Sequence, residues 1–304
     1  MNKIFITILL LLGLQGLLQA EIRYVSKQGT VTYPYTSWET AADSIQKVIN
    51  ICNPGDTIIV GAGTFYESIT TTIPLTFIGL GTDSTVINGH GFTTLATINF
   101  DANCSIEGFK VIGSGNHVDA VIIGASFHDM NVSDCILEDS QSGLWVGRSG
   151  NFRNIVFRNV QVAAVSHGTL PGVQQIFENC VMHIQYINTA NLNGILGLQS
   201  GTIILKNSII IIRDLVTYKG EGISFTHPDR LIAKNNIFTA HTNTSWVPPS
   251  YGIGMWDCIN RVPRAYPDSP SIVENNYFSN NAMGKLNGRG VQVLNEITRY
   301  RISN

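Results

Sequence analysis

One stretch constrains what this chain can fold into more than any other. It is Ile203-Ile204-Leu205-Lys206-Asn207-Ser208-Ile209-Ile210-Ile211, two short apolar runs that meet at a single asparagine. Near-copies recur at Val132-Ser133-Asp134-Cys135-Ile136-Leu137, Val156-Phe157-Arg158-Asn159-Val160, Ile176-Phe177-Glu178-Asn179-Cys180-Val181, Ile232-Ala233-Lys234-Asn235-Asn236-Ile237-Phe238 and Ile272-Val273-Glu274-Asn275-Asn276-Tyr277-Phe278. Aligned on the hinge, Gly79, Gly108, Asp134, Asn159, Asn179, Asn207, Asn235, Asn275 and Asn304 are spaced by about 28 residues on average, a period that marks a solenoid.

A second repeat precedes each hinge: Gly143-Leu144-Trp145-Val146, Gly194-Ile195-Leu196-Gly197, Gly222-Ile223-Ser224-Phe225, Gly252-Ile253-Gly254-Met255 and Gly290-Val291-Gln292-Val293. Each coil therefore supplies three strands. Copies of one strand stacked coil on coil must run parallel, with crossovers of the usual right hand. Asparagine suits the bend because it tolerates the left-handed backbone region and its amide can bond to the amides above and below. The expected fold is an all-β, right-handed, single-stranded parallel β-helix with three parallel sheets and an asparagine ladder, one domain over 21–304.

Only 13% of the residues are charged, about half the usual share, and the formal net charge is -2. No basic stripe calls for nucleic acid, so none is expected as a partner. A polar, weakly charged exterior suits glycans instead. Of the five cysteines, Cys135 and Cys180 align two repeats apart with Val160 between them. Coils about 4.8 Å apart hold their α-carbons near 10 Å, beyond the ~7 Å a disulfide spans. The cysteines are read as buried apolar residues, with no disulfide framework.

Residues 1–20 read as a cleaved signal peptide: Asn2-Lys3, an apolar run from Ile4 to Leu18, and Gln19-Ala20 before Glu21. The run is shorter than the ~20 residues of a spanning helix, and no later run is long enough, so no stable membrane span is expected. The location this implies is secreted or cell surface, with a bacterial envelope the best fit. From Thr36 the pattern becomes helical. Thr36 and Glu39 form a capping box, Trp38, Ala41, Ile45 and Val48 share a face, and Asn53-Pro54-Gly55 stops the run. This predicts a helix over 36–51 that closes the apolar end of the first coil.

Next come Pro54-Gly55-Asp56-Thr57-Ile58-Ile59-Val60, Gly61-Ala62-Gly63-Thr64-Phe65-Tyr66-Glu67, Pro74-Leu75-Thr76-Phe77-Ile78-Gly79 and Ser84-Thr85-Val86-Ile87-Asn88-Gly89. With the capping helix, these motifs resemble the pectin lyase-like superfamily of right-handed parallel β-helices, over nearly all of the mature chain. The resemblance implies that a glycan would lie in a cleft along the outside of the glycine-led strands. Alternation along those strands points Leu144, Val146, Ile223, Phe225, Ile253 and Met255 inward, and Trp145, Ser224, Trp256 and Gln292 outward. Just beyond them Arg148, His167, Gln199, His227 and Asp257 align as a polar column on successive coils.

Outward tryptophans can stack on sugar rings, and neighbouring Arg, His and Asp can bind acidic sugars or move protons. The candidate catalytic residues are Arg148, His167, His227 and Asp257. The candidate substrate-binding residues are Trp145, Gln199, Trp256, Arg261 and Arg264, the last two in a loop insertion over 239–271. The same polar residues also fit turns that simply face water. Acidic residues are scattered, so no metal site is expected, and no cofactor.

Three catalytic sets known in the superfamily are missing from the sequence. They are the clustered carboxylates of calcium-dependent pectate lyases, the Gly-x-x-Asp-Phe-Ile-Phe-Gly segment of pectin methylesterases, and the Asn-Thr-Asp, Gly-His-Gly and Arg-Ile-Lys motifs of polygalacturonases. Ser166-His167-Gly168 matches the second polygalacturonase motif only loosely. Two functions stay open. One is a β-helix that binds and cleaves polysaccharide, as a polyuronate-type lyase or glycoside hydrolase. The other is a non-catalytic, adhesin-like β-helix that binds glycans or partner proteins. The last hinge falls on Asn304 in mid-coil, so the C-terminal cap is expected from a continuation of the chain or from a partner covering the last coil.

Overall fold

The computed structural model describes residues 20–114, 120–124, 128–167, 172–185, 192–198, 201–213, 220–226, 230–240, 251–256, 271–280, 289–293 and 300–303. Among these, strands stack in parallel into an 11-stranded and a 16-stranded sheet. The 11-stranded leading sheet holds the strands that run into each hinge, among them Met130–Ser133, Gly150–Arg153, Gln174–Glu178, Thr202–Lys206, Arg230–Lys234 and Ser271–Glu274. The larger sheet wraps the other two sides of each coil. Its following face takes strands that leave the hinge, such as Val181–Gln185, Ile209–Arg213 and Ile237–Ala240. Its glycine-led face takes Leu192–Leu198, Gly220–Thr226, Tyr251–Trp256 and Arg289–Val293. Ile136–Val146 and Val156–Ser166 run unbroken through both faces. This is the three-sided, right-handed parallel β-helix that the repeat predicts.

Alternation fills the core. Ile203 and Leu205 are fully buried while Ile204 between them faces outward. Coil-on-coil stacking also aligns aromatic rings, with Phe77 on Phe100 at 5.5 Å between centroids and Phe152 on Phe177 at 4.7 Å.

At the hinge the backbone is left-handed: φ is 52° at Asp134, 54° at Asn154, 56° at Asn179, 50° at Asn207, 57° at Asn235 and 53° at Asn275. The ladder residue of its coil is Asn154, not Asn159, because Phe152 pairs with Phe177 and Arg153 with Glu178. Asn159 stands with Asp139 at a second left-handed bend, where its Nδ2 donates to Asp139 Oδ1 at 2.7 Å. The ladder amides stack as expected. Asn154 Nδ2 donates to Asp134 Oδ1 at 2.9 Å, Asn179 Nδ2 to Asn154 Oδ1 at 3.3 Å, and Asn235 Nδ2 to Asn207 Oδ1 at 3.3 Å.

One residue past each hinge, an inner column runs Phe109, Cys135, Ile155, Cys180, Ser208, Asn236 and Asn276. Ile155 therefore separates the two aligned cysteines. Cys52, Cys104, Cys135 and Cys180 are free thiols, and burial pushes Cys180 up to about 11, which keeps it protonated. From Ser208 onward the column is polar. Ser208 Oγ accepts from Cys180 N at 3.0 Å, Asn236 Oδ1 from Ser208 N at 2.9 Å, and Asn276 Oδ1 from Asn236 N at 2.9 Å. Asn236 Nδ2 also donates to Leu205 O at 3.0 Å.

The N-terminal motifs prove to be structural. Asp56 of the Pro-Gly-Asp motif is buried and accepts from Glu21 N, Asn53 N and Arg23 Nε at 2.8, 2.9 and 3.1 Å. Glu67, the last residue of Gly63-Thr64-Phe65-Tyr66-Glu67, accepts from the Ser44 hydroxyl at 2.9 Å and from Ile45 N and Gln46 N at 3.0 Å each. That carboxylate pins a short helix, Ile45–Ile49, whose N-cap is Ser44. The helix is thus shorter than 36–51. The Ser37 and Thr40 side chains close a turn upstream, and Ala42 is bridged to Val25. Ile45 and Val48 do face the core.

Within 239–271, Tyr251–Trp256 is a coil strand paired with Gly220–Thr226, so the insertion is not all loop. Its remaining parts at 241–250 and 257–270 lie outside the described residues, as do 1–19 and Asn304.

Replacing Asn236 by Leu is expected to leave Ser208 N–H and Leu205 C=O buried without partners, at a cost of about 2–5 kcal/mol. Replacing Asn235, at the exposed left-handed hinge, by Gly is expected to cost under about 1 kcal/mol. Urea unfolding midpoints of the two variants compare them, and equal losses would show that the inner column does not dominate.

Candidate functional site

The glycine-led face exposes Trp145 because alternation turns Leu144 and Val146, both buried, into the core and leaves the indole half-buried outside. The register sets Trp145 beside Ile123 and Val165, and carries that level on through Leu196, Ser224, Gly254 and Gln292. Trp256 instead pairs with Thr226, two residues further along and four coils away, or about 19 Å at the usual strand spacing. The two tryptophans therefore stand at different levels of the same sheet. Of Trp256 only the backbone is described.

His167 also departs from the expected column. Ser166 pairs with Val146 and Gly197, which sets His167 level with Gly147 and Leu198, one residue short of Arg148. That offset brings its ring to Trp145, 5.9 Å between centroids at 52°. Its backbone N–H donates to Val146 O at 2.9 Å, fixing the contact across coils. Desolvation of the imidazole lowers the His167 pKa, favouring the neutral ring.

Arg148 Nε lies 3.4 Å from Asp129 Oδ1, with both side chains about half exposed. Behind them, buried Gln175 donates from Nε2 to Arg148 O at 2.9 Å and to Val146 O at 3.4 Å, bracing the turn from inside. Four buried polar atoms here have no hydrogen-bond partner among the described residues: Asp129 Oδ1, whose contact with Arg148 is an ion pair only, Trp145 Nε1, Ser166 Oγ and Gln175 Oε1. One coil before Asp129, Asp101 Oδ1 lies 3.8 Å from Nε2 of His128, the residue next to Asp129. The edge of this face thus carries Asp101, the His128–Asp129 pair, Arg148 and His167 on successive coils.

The Trp145 and His167 rings meet, and Arg148 stands beside Asp129 and over Gln175 just past the end of the same strand. Gln175 could be read in the sequence, since alternation with Phe177 places it inward. Asp101, His128 and Asp129 could not, because they follow their strands at irregular distances. Gln199, His227, Asp257, Arg261 and Arg264 lie outside the described residues. Among the described residues no three His, Cys, Asp or Glu side chains gather as a metal site, and no helix is long and apolar enough to cross a membrane.

The sequence matches no protein-family model and no curated protein. In structure the chain is similar to a pectin methylesterase solved in complex with a hexasaccharide, with TM-score 0.57 and 14% identity over 90% of this chain and 93% of that one. It is also similar to the pectin methylesterase from Aspergillus niger, with TM-score 0.51 and 16% identity over 94% and 84% of the two chains. At these identities the likeness is one of fold, the parallel β-helix.

By NMR the His167 imidazole is expected to titrate below its ordinary value of about 6.5. Because charging the ring opposes folding, its stabilising contribution is complete above the unfolded value and falls away as the pH drops below it. Trp145→Ala is expected to expose the ring and move its titration upward. An unchanged titration would place the source of desolvation elsewhere.

Proposed function

We propose that this chain is an exported protein, secreted or held at the cell surface, that binds a polysaccharide along the outside of its glycine-led face. The observation that carries this reading is the half-exposed Trp145 indole with His167 against it and the Arg148–Asp129 pair at the edge of the same face. An aromatic face receives the apolar face of a sugar ring, and a guanidinium receives a carboxylate or hydroxyls in the plane beside it. The similar pectin methylesterase was solved with a hexasaccharide, in keeping with a glycan on a scaffold of this fold. Export rests on the apolar leader over 1–20.

Cleavage is the second reading, and one observation favours it. A histidine held neutral by desolvation can accept a proton near neutral pH, as lyase or hydrolase chemistry requires. Against it, the carboxylate nearest Arg148, that of Asp129, is engaged by the guanidinium. The first reading therefore takes His167 as a contact to sugar, and the second takes it as the proton acceptor.

A panel of neutral and acidic oligosaccharides separates them. Trp145→Ala and Arg148→Ala are each expected to weaken binding about tenfold or more. Release of new double bonds or reducing ends, lost in His167→Ala, would establish cleavage, and binding without turnover would leave a lectin-like protein. Failure of the wild type to bind any glycan of the panel would overturn both.

A further inference from the structure

On the following face, two coils carry an extra residue and the third does not. Glu138 pairs with Arg158 and Ser140 with Val160, so Asp139 and Asn159 stand level with each other, both left-handed. Phe157 then pairs with Met182 and Val160 with Ile184, so Arg158 and Asn159 together oppose the single residue His183. This is a β-bulge, a device that re-aims side chains at a strand's surface. His183 points outward between buried Met182 and Ile184, and on its other side Gln185 pairs with Arg213. The step therefore sets a half-buried imidazole between two exposed guanidiniums.

Elsewhere on the coil exteriors, basic side chains meet carboxylates: Arg153 with Glu178 at 3.5 Å and Lys234 with Glu274 at 2.8 Å. Around His183 that compensation is missing. Glu138, which faces Arg158 from the preceding coil, has its carboxylate 2.8 Å from Lys110 Nζ, and Asp139 Oδ1 is taken by Asn159. Ile211 and Thr239 face His183 from the following coils and carry no charge. Neither Arg158 nor Arg213 forms an ion pair with a described residue, and burial, followed by the positive charges of Arg213 and Arg158, disfavours protonation of His183. Like charges side by side on a sheet are destabilising unless something neutralises them.

We propose that Arg158, His183 and Arg213 form an oxyanion site on the following face, separate from the Trp145 face, that takes a carboxylate or sulfate group such as acidic sugars carry. Guanidinium forks match planar and tetrahedral oxyanions, and the imidazole adds a third donor once the anion favours its protonation. The bulge supplies the geometry by lifting Arg158 out of the ladder beside His183.

The test follows the His183 imidazole by NMR in the full chain, assigned with His183→Gln, while inorganic sulfate or glucuronate is added against sodium chloride of equal ionic strength. In the wild type at least one of the two anions is expected to raise the His183 pKa by about one unit. Which anion does so distinguishes a sulfate-binding from a uronate-binding site. In Arg158→Gln/Arg213→Gln the pKa is expected to start higher in plain buffer and to respond to neither anion. Trp145→Ala is expected to keep the full response, so loss of glycan binding at the Trp145 face and loss of this site are told apart. No response to either anion in the wild type, or an equal response in the double variant, would overturn the proposal.

Discussion

Everything in this molecule depends on a bend that the backbone makes once per coil in a conformation most residues avoid. Left-handed φ at Asp134, Asn154, Asn179, Asn207, Asn235 and Asn275 turns the chain from the leading sheet into the following face, and asparagine is among the few side-chain-bearing residues that reach it at small cost. The bend also recurs at a height fixed by the strands. Parallel ladders set coils about 4.8 Å apart, so the hinge amides come within bonding distance of their copies. The local preference of one residue and the long-range pairing of the sheets therefore demand the same geometry, which is the mutual consistency expected of a sequence that specifies one fold.

The inner column shows how the same constraint is met in two chemistries. Phe109, Cys135, Ile155 and Cys180 fill the space behind the hinge with apolar volume, whereas Ser208, Asn236 and Asn276 fill it with a chain of hydrogen bonds to backbone groups that would otherwise be buried unpaired. The apolar solution relies on packing and tolerates small shifts between coils. The polar one fixes the vertical register directly, because each side chain bonds the N–H of the coil next to it.

Much of this was legible in the sequence because a solenoid repeats its physics. Period, strand count, parallel pairing and the inward set of Leu144, Val146 and Ile223 all follow from one alternation applied coil after coil. What escaped was the exact register from coil to coil. Val156-Phe157-Arg158-Asn159 looks like a hinge because the true hinge, Asn154, and the bulge residue Asn159 lie five residues apart and share the same apolar-polar-Asn pattern. A one-residue ambiguity displaced His167 from the level of Arg148, and Trp256 stands two residues past the level of Trp145. Composition cannot resolve such slips, whereas backbone pairing does.

Loop length then decides where the scaffold is open. From Asp134 to Asn154 the chain spends only 20 residues on a coil, against 28 from Asn179 to Asn207 and 40 from Asn235 to Asn275. Three residues, Gly147 to Ser149, join the glycine-led strand to the next leading strand there, too few to fold back over the sheet. The half-buried Trp145 indole thus keeps an open face on the tightest coil. The second bend at Asp139 and Asn159 belongs to the same economy, since unbroken strands through both faces need a kink where longer coils use a loop. The aromatic surface and the bulge beside His183 are therefore two results of one cause, the shortening of two adjacent coils, and each places unusual side chains on an otherwise regular exterior.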